Sequence, residues 1–148
     1  MTPREFDATS VQGKLELLHD LLDDLDAVGE VDARTLETDR FTRHVVERVL
    51  TQLVDIAAST NAHIAASLGS RAPSDYSQSF ELAAAAGALD ADLAADLKAS
   101  VGLRNLLTHE YGRIDLSKVA AAVPVARDQY SRYVRQVSRF LQDRDARS

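Results

Sequence analysis

Residues 40–53 read RFTRHVVERVLTQL and open a long amphipathic pattern in the middle of the chain. Apolar residues recur along this stretch and its continuation at the spacing that gathers them on one face of an α-helix. The side chains expected to face inward are those of Phe41, Val45, Val49, Leu53, Ile56 and Ile64. The pattern predicts a long helix that begins between residues 33 and 39 and ends at Gly69.

Two further helices are predicted, one before this long helix and one after it. Residues 9–12, Thr-Ser-Val-Gln, fit a capping box, in which hydroxyl and amide side chains satisfy free backbone groups at a helix start. The helix that follows should end near Gly29. After a loop that contains Gly, Pro and Ser, Ser74 or Asp75 can cap a short helix that runs through Ala86.

The C-terminal part of the chain predicts two more helical regions. Asp90 can cap a fourth helix, which leads into residues 104–111. A last region should start at Asp115 or Ser117. Pro124 is expected to kink or split it, because proline lacks an amide donor and clashes with the preceding turn.

These patterns together predict an all-α fold, an antiparallel bundle of four to five helices. Residues 1–148 are expected to form a single helical domain, with residues 1–8 and 144–148 as frayed tails. The composition agrees, because 45% of the residues are hydrophobic and glycines are few. A chain of 148 residues suits one domain with a substantial core.

Composition also limits the classes of function. The chain has no cysteine, which excludes disulfides and thiolate metal sites. A single Glu16-x-x-His19 has no second copy of the kind that a di-iron bundle needs, so neither a metal nor another cofactor is expected. No signal-peptide pattern or membrane-length apolar run is present, and a cytoplasmic protein without a membrane partner is expected.

The charge balance bears on nucleic-acid binding. A net charge of -6 argues against nonspecific coating of nucleic acid, so any RNA contact must rely on local positive charge. The candidate phosphate contacts are Arg113, Arg40 and Arg43. The simpler interpretation of the arginines on the long helix is a solvated face with helical ion pairs.

Residues 104–111, Arg-Asn-Leu-Leu-Thr-His-Glu-Tyr, gather several chemically active groups into two helical turns. At about 100° per residue, Arg104, Asn105 and Tyr111 share one side with Thr108, and His109 lies at its edge, roughly 140° from Arg104. Leu103, Leu106 and Leu107 are expected to form the buried stripe. The polar side chains would therefore face a groove or a partner.

These residue types suit the cleavage of a phosphodiester bond. Arginine offers a planar, permanently charged fork for phosphate oxygens, and histidine can exchange protons near neutral pH. With an RNA 2′-hydroxyl as nucleophile, His109 would move a proton, Arg104 would stabilise the transition state, and Asn105 would orient the phosphate or the imidazole. One histidine cannot easily serve as both acid and base, so a two-fold dimer is an attractive arrangement. Equally, an Arg and a His near a helix end can simply cap carbonyls.

Arg104, Asn105, His109 and Tyr111 match the R-x4-H-x-Y signature, and the chain resembles the HepT-like toxins of the HEPN superfamily. The resemblance continues in the same order through residues 40–53, the segment 55–69 with Asn61 and His63, residues 73–87, and Ile114-Asp115. It covers roughly residues 14 to 142.

The resemblance implies a homodimeric, all-helical ribonuclease toxin with Arg104 and His109 as catalytic residues in a cleft between protomers. It also implies a partner, a minimal nucleotidyltransferase (MNT) antitoxin that transfers AMP to the motif tyrosine, here Tyr111. Thr108 and Glu110 are more polar than the residues often found at those positions, which bears on substrate affinity.

Two alternatives remain open at this point. The chain could be a noncatalytic HEPN module that binds its nucleotidyltransferase partner, with the motif retained for dimer geometry or modification. It could also be a small helical domain in which Arg104 and Arg113 bind a nucleotide phosphate without cleaving it.

Overall fold

Six α-helices make up most of the described part of the chain, residues 6–109 and 112–147 of this computed structural model. They are α1 (Ala8–Val28), α2 (Ala33–Thr38), α3 (Arg40–Ser67), α4 (Tyr76–Ala85), α5 (Ala91–His109) and α6 (Leu116–Arg147). The described residues include no strand, which confirms the all-α prediction. None of the described helices combines the length and apolar character that a membrane crossing requires.

Aspartate side chains define where most of the helices begin. Each accepts a hydrogen bond from the backbone N–H three residues further on and so satisfies one of the free donors at a helix start. The five capping residues are Asp7, Asp32, Asp39, Asp75 and Asp90. Asp75 and Asp90 confirm the predicted starts of α4 and α5.

Two predicted helix starts are wrong because other aspartates act as caps. The N–H of Ser10 donates to Asp7 over 3.0 Å, so α1 begins at Ala8, ahead of the proposed capping box. Asp39 accepts from Thr42 and separates the short α2 from α3. The long helix therefore starts at Arg40.

The buried face of α3 differs from the prediction at one end. Val49, Leu53 and Ile64 are buried as expected, but Phe41 is 79% exposed. A spacing of four residues advances 400° around the helix, so each step drifts by about 40° and Phe41 lies about 120° from Leu53. Followed from Leu53 towards the N-terminus, the apolar repeat therefore turns away from the core by the first turn of α3.

The C-terminal helix excludes the predicted split at Pro124, while the kink stays a prediction, and it corrects the expected C-terminal tail. Helix α6 runs unbroken from Leu116 to Arg147 although Pro124 lies inside it. Burial of Ala120, Val123 and Ala126 on both sides of the proline holds the two parts together despite one lost hydrogen bond. Residues 144–147, expected in a frayed tail, are helical, and the Arg144 guanidinium lies 4.4 Å from the ring centre of Phe6.

A buried hydrogen-bond chain connects α6, α3 and α4 inside the core. The hydroxyl of Tyr133 donates to Oδ1 of Asn61 over 2.6 Å, and Nδ2 of Asn61 donates to Oγ of Ser79 over 3.2 Å. The Ser79 hydroxyl then donates to the carbonyl of Tyr76 over 2.6 Å. Buried polar groups are stable only when they are paired in this way. This series of hydrogen bonds fixes the first turn of α4, which carries Tyr76.

Candidate functional site

Helices α3, α4 and α5 meet around the guanidinium of Arg104. Its Nε–H donates to Oδ1 of Asp55 on α3 over 2.9 Å, and its Cζ lies 5.0 Å from the ring centre of Tyr76 on α4. The Arg104 side chain is only 20% exposed. A cation held by a carboxylate at one edge and by an aromatic ring at its face has little freedom to rotate.

The expectation that Arg104 faces a groove agrees with this placement, but the sequence analysis missed Asp55 and Tyr76. A signal for Asp55 was present, because a charged residue follows Leu53-Val54 and precedes Ile56 in an otherwise apolar stretch of α3. A carboxylate in such a position needs a partner. The sequence does not indicate which of the arginines supplies it.

A cleft of about 300 Å³ opens beside the Arg104 guanidinium. Its lining consists of Asp75, Tyr76, Ser77, Val101, Arg104 and Asn105. Asn105 is exposed, and its Oδ1 accepts from Nη1 of Arg104 over a long 3.4 Å. The cleft thus combines a cation, an amide and two hydroxyls, groups that can hold a phosphate and the sugar or base next to it, with the carboxylate of Asp75.

The phenol of Tyr76 is a neutral group in this site. Burial raises the pKa of Tyr76 above its ordinary value of 10.0, and the nearby Asp55 carboxylate raises it further, while the Arg104 cation partly opposes them. Tyr76 therefore stays protonated at neutral pH.

His109 is the last residue of α5 and is exposed. It lies five positions after Arg104, which corresponds to about 7.5 Å along the axis and roughly 140° around it. The two side chains of one helix therefore point in different directions. Tyr111 lies outside the described residues, and Arg113, just beyond it, is exposed.

The other candidate phosphate contacts lie on α3, away from the Asp55–Arg104 pair. Arg43 donates to Glu47 over 2.7 Å in an ion pair one turn along the helix, as the simpler interpretation of these arginines expected. Arg40 is exposed in the first turn. Counted along the helix axis, Arg40 and Arg43 are about 22 and 18 Å from Asp55.

An apolar groove of about 440 Å³ runs between α5 and α6. Its most apolar lining residues are Leu50, Leu103, Leu106, Ala122, Val125 and Ala126, and Arg104 also lines it. Leu106 is 41% exposed and Val125 50% exposed. The prediction that Leu106 belongs to the buried stripe is therefore wrong, because Leu106 lines this open groove, whereas Leu107 is buried as expected.

A group of possible metal ligands occurs elsewhere, on the exposed side of α1. Ligand atoms of His19, Asp20 and Asp23 lie within 4.8 Å of one another. All three residues are exposed, and Nδ1 of His19 is 3.5 Å from Asp23, an ordinary surface pair. The expectation that the protein needs no metal stays a prediction.

The fold and the site together define an all-helical bundle with an anchored arginine and a histidine on one helix. Residues 17–137 match the family model described as ribonuclease HepT-like. The chain therefore belongs to the HepT-like ribonuclease family, which confirms the resemblance and, at the level of the family, the expectation of an RNA-cleaving enzyme.

A curated relative supports the same assignment. The chain is 30% identical over 131 residues to the tRNA nuclease HepT of Aphanizomenon flos-aquae, a match that covers 88% of this chain and 89% of that protein. The match therefore spans most of both chains.

Solved structures share the fold. The Shewanella oneidensis HEPN toxin, in a tri-AMPylated form in complex with MNT antitoxin, superposes with a TM-score of 0.77 at 20% identity and covers 86% of this chain and 96% of its own. The cytosolic protein of unknown function YutE from Bacillus subtilis gives a TM-score of 0.81 at 13% identity and covers 95% of both chains.

Proposed function

We propose that this protein is the ribonuclease toxin of a toxin–antitoxin pair and cleaves RNA without a metal at a cleft between two copies of the chain. The observation that carries the proposal is the anchored guanidinium of Arg104, which borders a polar cleft of about 300 Å³. The curated relative named a tRNA nuclease makes tRNA the first substrate to test.

The proposed reaction is an intramolecular transesterification of RNA. The 2′-oxygen attacks the neighbouring phosphorus, the bond to the 5′-oxygen breaks, and the products carry a 2′,3′-cyclic phosphate and a 5′-hydroxyl. Arg104 stabilises the negative charge that develops on the phosphoryl oxygens, and Asn105 orients the phosphate. The His109 of one copy takes the proton from the 2′-hydroxyl. General acid–base action of this kind contributes roughly 10²- to 10⁴-fold in rate.

Two copies of the chain supply the two proton-transfer groups. The His109 of one copy acts as the base, and the His109 of the other returns a proton to the leaving 5′-oxygen. The apolar groove supports such a homodimer, because exposed Leu106 and Val125 need a cover and Arg104 lines the same groove. A second copy seated there would contact α5 at Arg104.

The proposed antitoxin is a minimal nucleotidyltransferase that modifies Tyr111. The phenolic oxygen of Tyr111 would attack the α-phosphorus of ATP, with pyrophosphate as the leaving group. The resulting adenylate, two residues from His109 along the chain, would exclude an RNA phosphate by volume and by charge. The fold shared with a tri-AMPylated toxin in complex with MNT antitoxin supports this partner.

The decisive experiment incubates the purified protein with total tRNA in EDTA and determines the ends of the products. Cleavage that leaves 2′,3′-cyclic phosphate ends and is abolished by His109→Ala is the expected result. Cleavage that survives His109→Ala would contradict the proposed mechanism. A wild-type protein that cuts no RNA but binds its nucleotidyltransferase partner would support the noncatalytic module instead.

A further inference from the structure

We propose that Asp55 and Tyr76 are positioning residues, which hold the Arg104 guanidinium so that its outer edge faces the phosphate of the substrate. This inference rests on the proposed function. Neither residue belongs to the R-x4-H-x-Y segment, and both reach Arg104 only through the packing of three helices. Asp55 is 49 positions away from Arg104 along the chain.

The two contacts restrain different motions of the guanidinium. The hydrogen bond to Asp55 engages Nε and fixes rotation within the guanidinium plane, and the Tyr76 ring 5.0 Å from Cζ fixes the plane itself. With Nε engaged in this way, a phosphate would be met by the terminal nitrogens Nη1 and Nη2. Such an end-on fork is the two-point geometry that arginine offers to an anion.

The backbone at Tyr76, which carries the ring, is held by hydrogen bonds of its own. The hydrogen-bond chain from Tyr133 through Asn61 to Ser79 ends on the backbone carbonyl of Tyr76. Asp75 caps the same turn by accepting from the N–H of Gln78 over 2.7 Å. The backbone that carries the Tyr76 ring is therefore fixed by the fold itself, which favours electrostatic preorganisation.

The charge of Asp55 distinguishes positioning from simple attraction. A carboxylate 2.9 Å from Arg104 offsets part of the positive field that would draw RNA to the cleft. Asp55 therefore does not help the substrate to bind. Its benefit appears in the chemical step, where a misplaced cation stabilises the transition state poorly.

The first arm of the test compares kinetic constants of the full-length dimer. Asp55→Ala should lower kcat roughly 10- to 100-fold and change KM less than about threefold, since a displacement of 1 Å can cost about 100-fold. Asp55→Asn keeps an acceptor for the Nε–H and should recover most of kcat. Tyr76→Phe keeps the ring and should also be active, whereas Tyr76→Ala should resemble Asp55→Ala.

Two controls make this arm specific. Glu81 on α4 pairs with Lys98 on α5, so Glu81→Ala removes a comparable ion pair between helices without touching Arg104, and kcat should stay the same. In an Arg104→Ala background, Asp55→Ala should lower the residual rate less than about twofold, because it acts through the missing side chain. A full additional loss there, or an effect on KM alone, would overturn the proposal.

The second arm measures the position of Arg104 without any RNA. The Nε–Hε resonance of Arg104, assigned by its absence in Arg104→Lys, should shift or broaden in Asp55→Ala and in Tyr76→Ala but not in Glu81→Ala. A resonance unchanged in all three would overturn the positioning role. Because this readout needs no cleavage, a wild-type protein that cuts no RNA would refute the proposed function while this arm still decides the role of Asp55.

Discussion

The hydroxyl of Tyr133 donates to Oδ1 of Asn61 over 2.6 Å in the interior of the bundle, which ties α6 to α3. Both residues are fully buried. Burial also raises the pKa of Tyr133 far above its ordinary value, so its hydroxyl always keeps the proton that it donates. Asn61 then passes the connection on to Ser79 and the start of α4.

Asn61→Ala should therefore destabilise the fold. The change leaves the buried Tyr133 hydroxyl without its best acceptor and removes the donor to Ser79, at a cost of about 2–3 kcal/mol. For a chain of this size that corresponds to a fall in Tm of roughly 6–12 °C. Calorimetry should detect it. Thr51→Ala, which removes a hydrogen bond within α3, is the matched control and should change stability by less than about 1 kcal/mol.

Arg104→Ala should abolish most of the activity and leave the fold intact. The side chain lies over Tyr76 at the rim of the bundle, outside the hydrophobic core. Loss of a positioned charge typically costs about 10²- to 10³-fold in kcat. Cleavage of tRNA and thermal unfolding are measured on the same samples, with the exposed Arg135→Ala as a control. A large fall in Tm with a proportionate fall in activity would show that Arg104 is structural.

Tyr111→Phe should retain RNA cleavage but escape silencing by the nucleotidyltransferase partner. The substitution removes only the phenolic oxygen that would accept AMP. Intact-mass analysis after incubation with ATP and the partner should show AMP on the wild-type chain and none on the variant. If the variant gained the same mass as the wild type, Tyr111 would not be the modified residue.

Leu106→Glu and Val125→Glu should each convert the proposed dimer into monomers. Each variant should also cleave less RNA. Each places a charge in the apolar groove, where a second copy would have to bury it at a cost in desolvation. Light scattering coupled to gel filtration gives the mass. Leu17→Glu, at a leucine that is 53% exposed on α1, is the matched control and should change neither property. Dimers that persist in both groove variants would place the interface elsewhere.

Acid should weaken the helix starts. Hydrogen bonds lower the pKa of three cap carboxyl groups below the ordinary value of 3.8. The backbone and side chain of Thr35 donate to Asp32, the side chain and backbone of Thr42 donate to Asp39, and the backbone of Leu93 donates to Asp90. A pKa that is lower in the folded state means that the stabilisation is complete above about pH 3.8 and is lost as pH falls through the lower, folded value. Unfolding by urea at pH 7 and pH 2.5 should therefore show that Asp39→Ala costs more stability at pH 7 than at pH 2.5.

Local rules explain what the sequence determined by itself. Helix periodicity and aspartate caps depend on residues three or four positions apart. The all-α fold and the starts of α4 and α5 could therefore be predicted from the amino-acid sequence. The candidate residues Arg104, Asn105 and His109 were found in the same way, because one helical segment carries them all. Even here a local rule failed at Phe41, where the drift of the repeat turned an apolar side chain to the solvent.

Only the tertiary structure decided what surrounds these residues. The partner of Arg104 is Asp55, 49 positions away, and the ring beneath it is Tyr76 on a third helix. The tertiary structure also leaves Leu106 open to an apolar groove, while Leu107 is buried. Such pairings depend on how helices cross, which is a property of summed side-chain packing over the whole core. No spacing within a single segment contains that information.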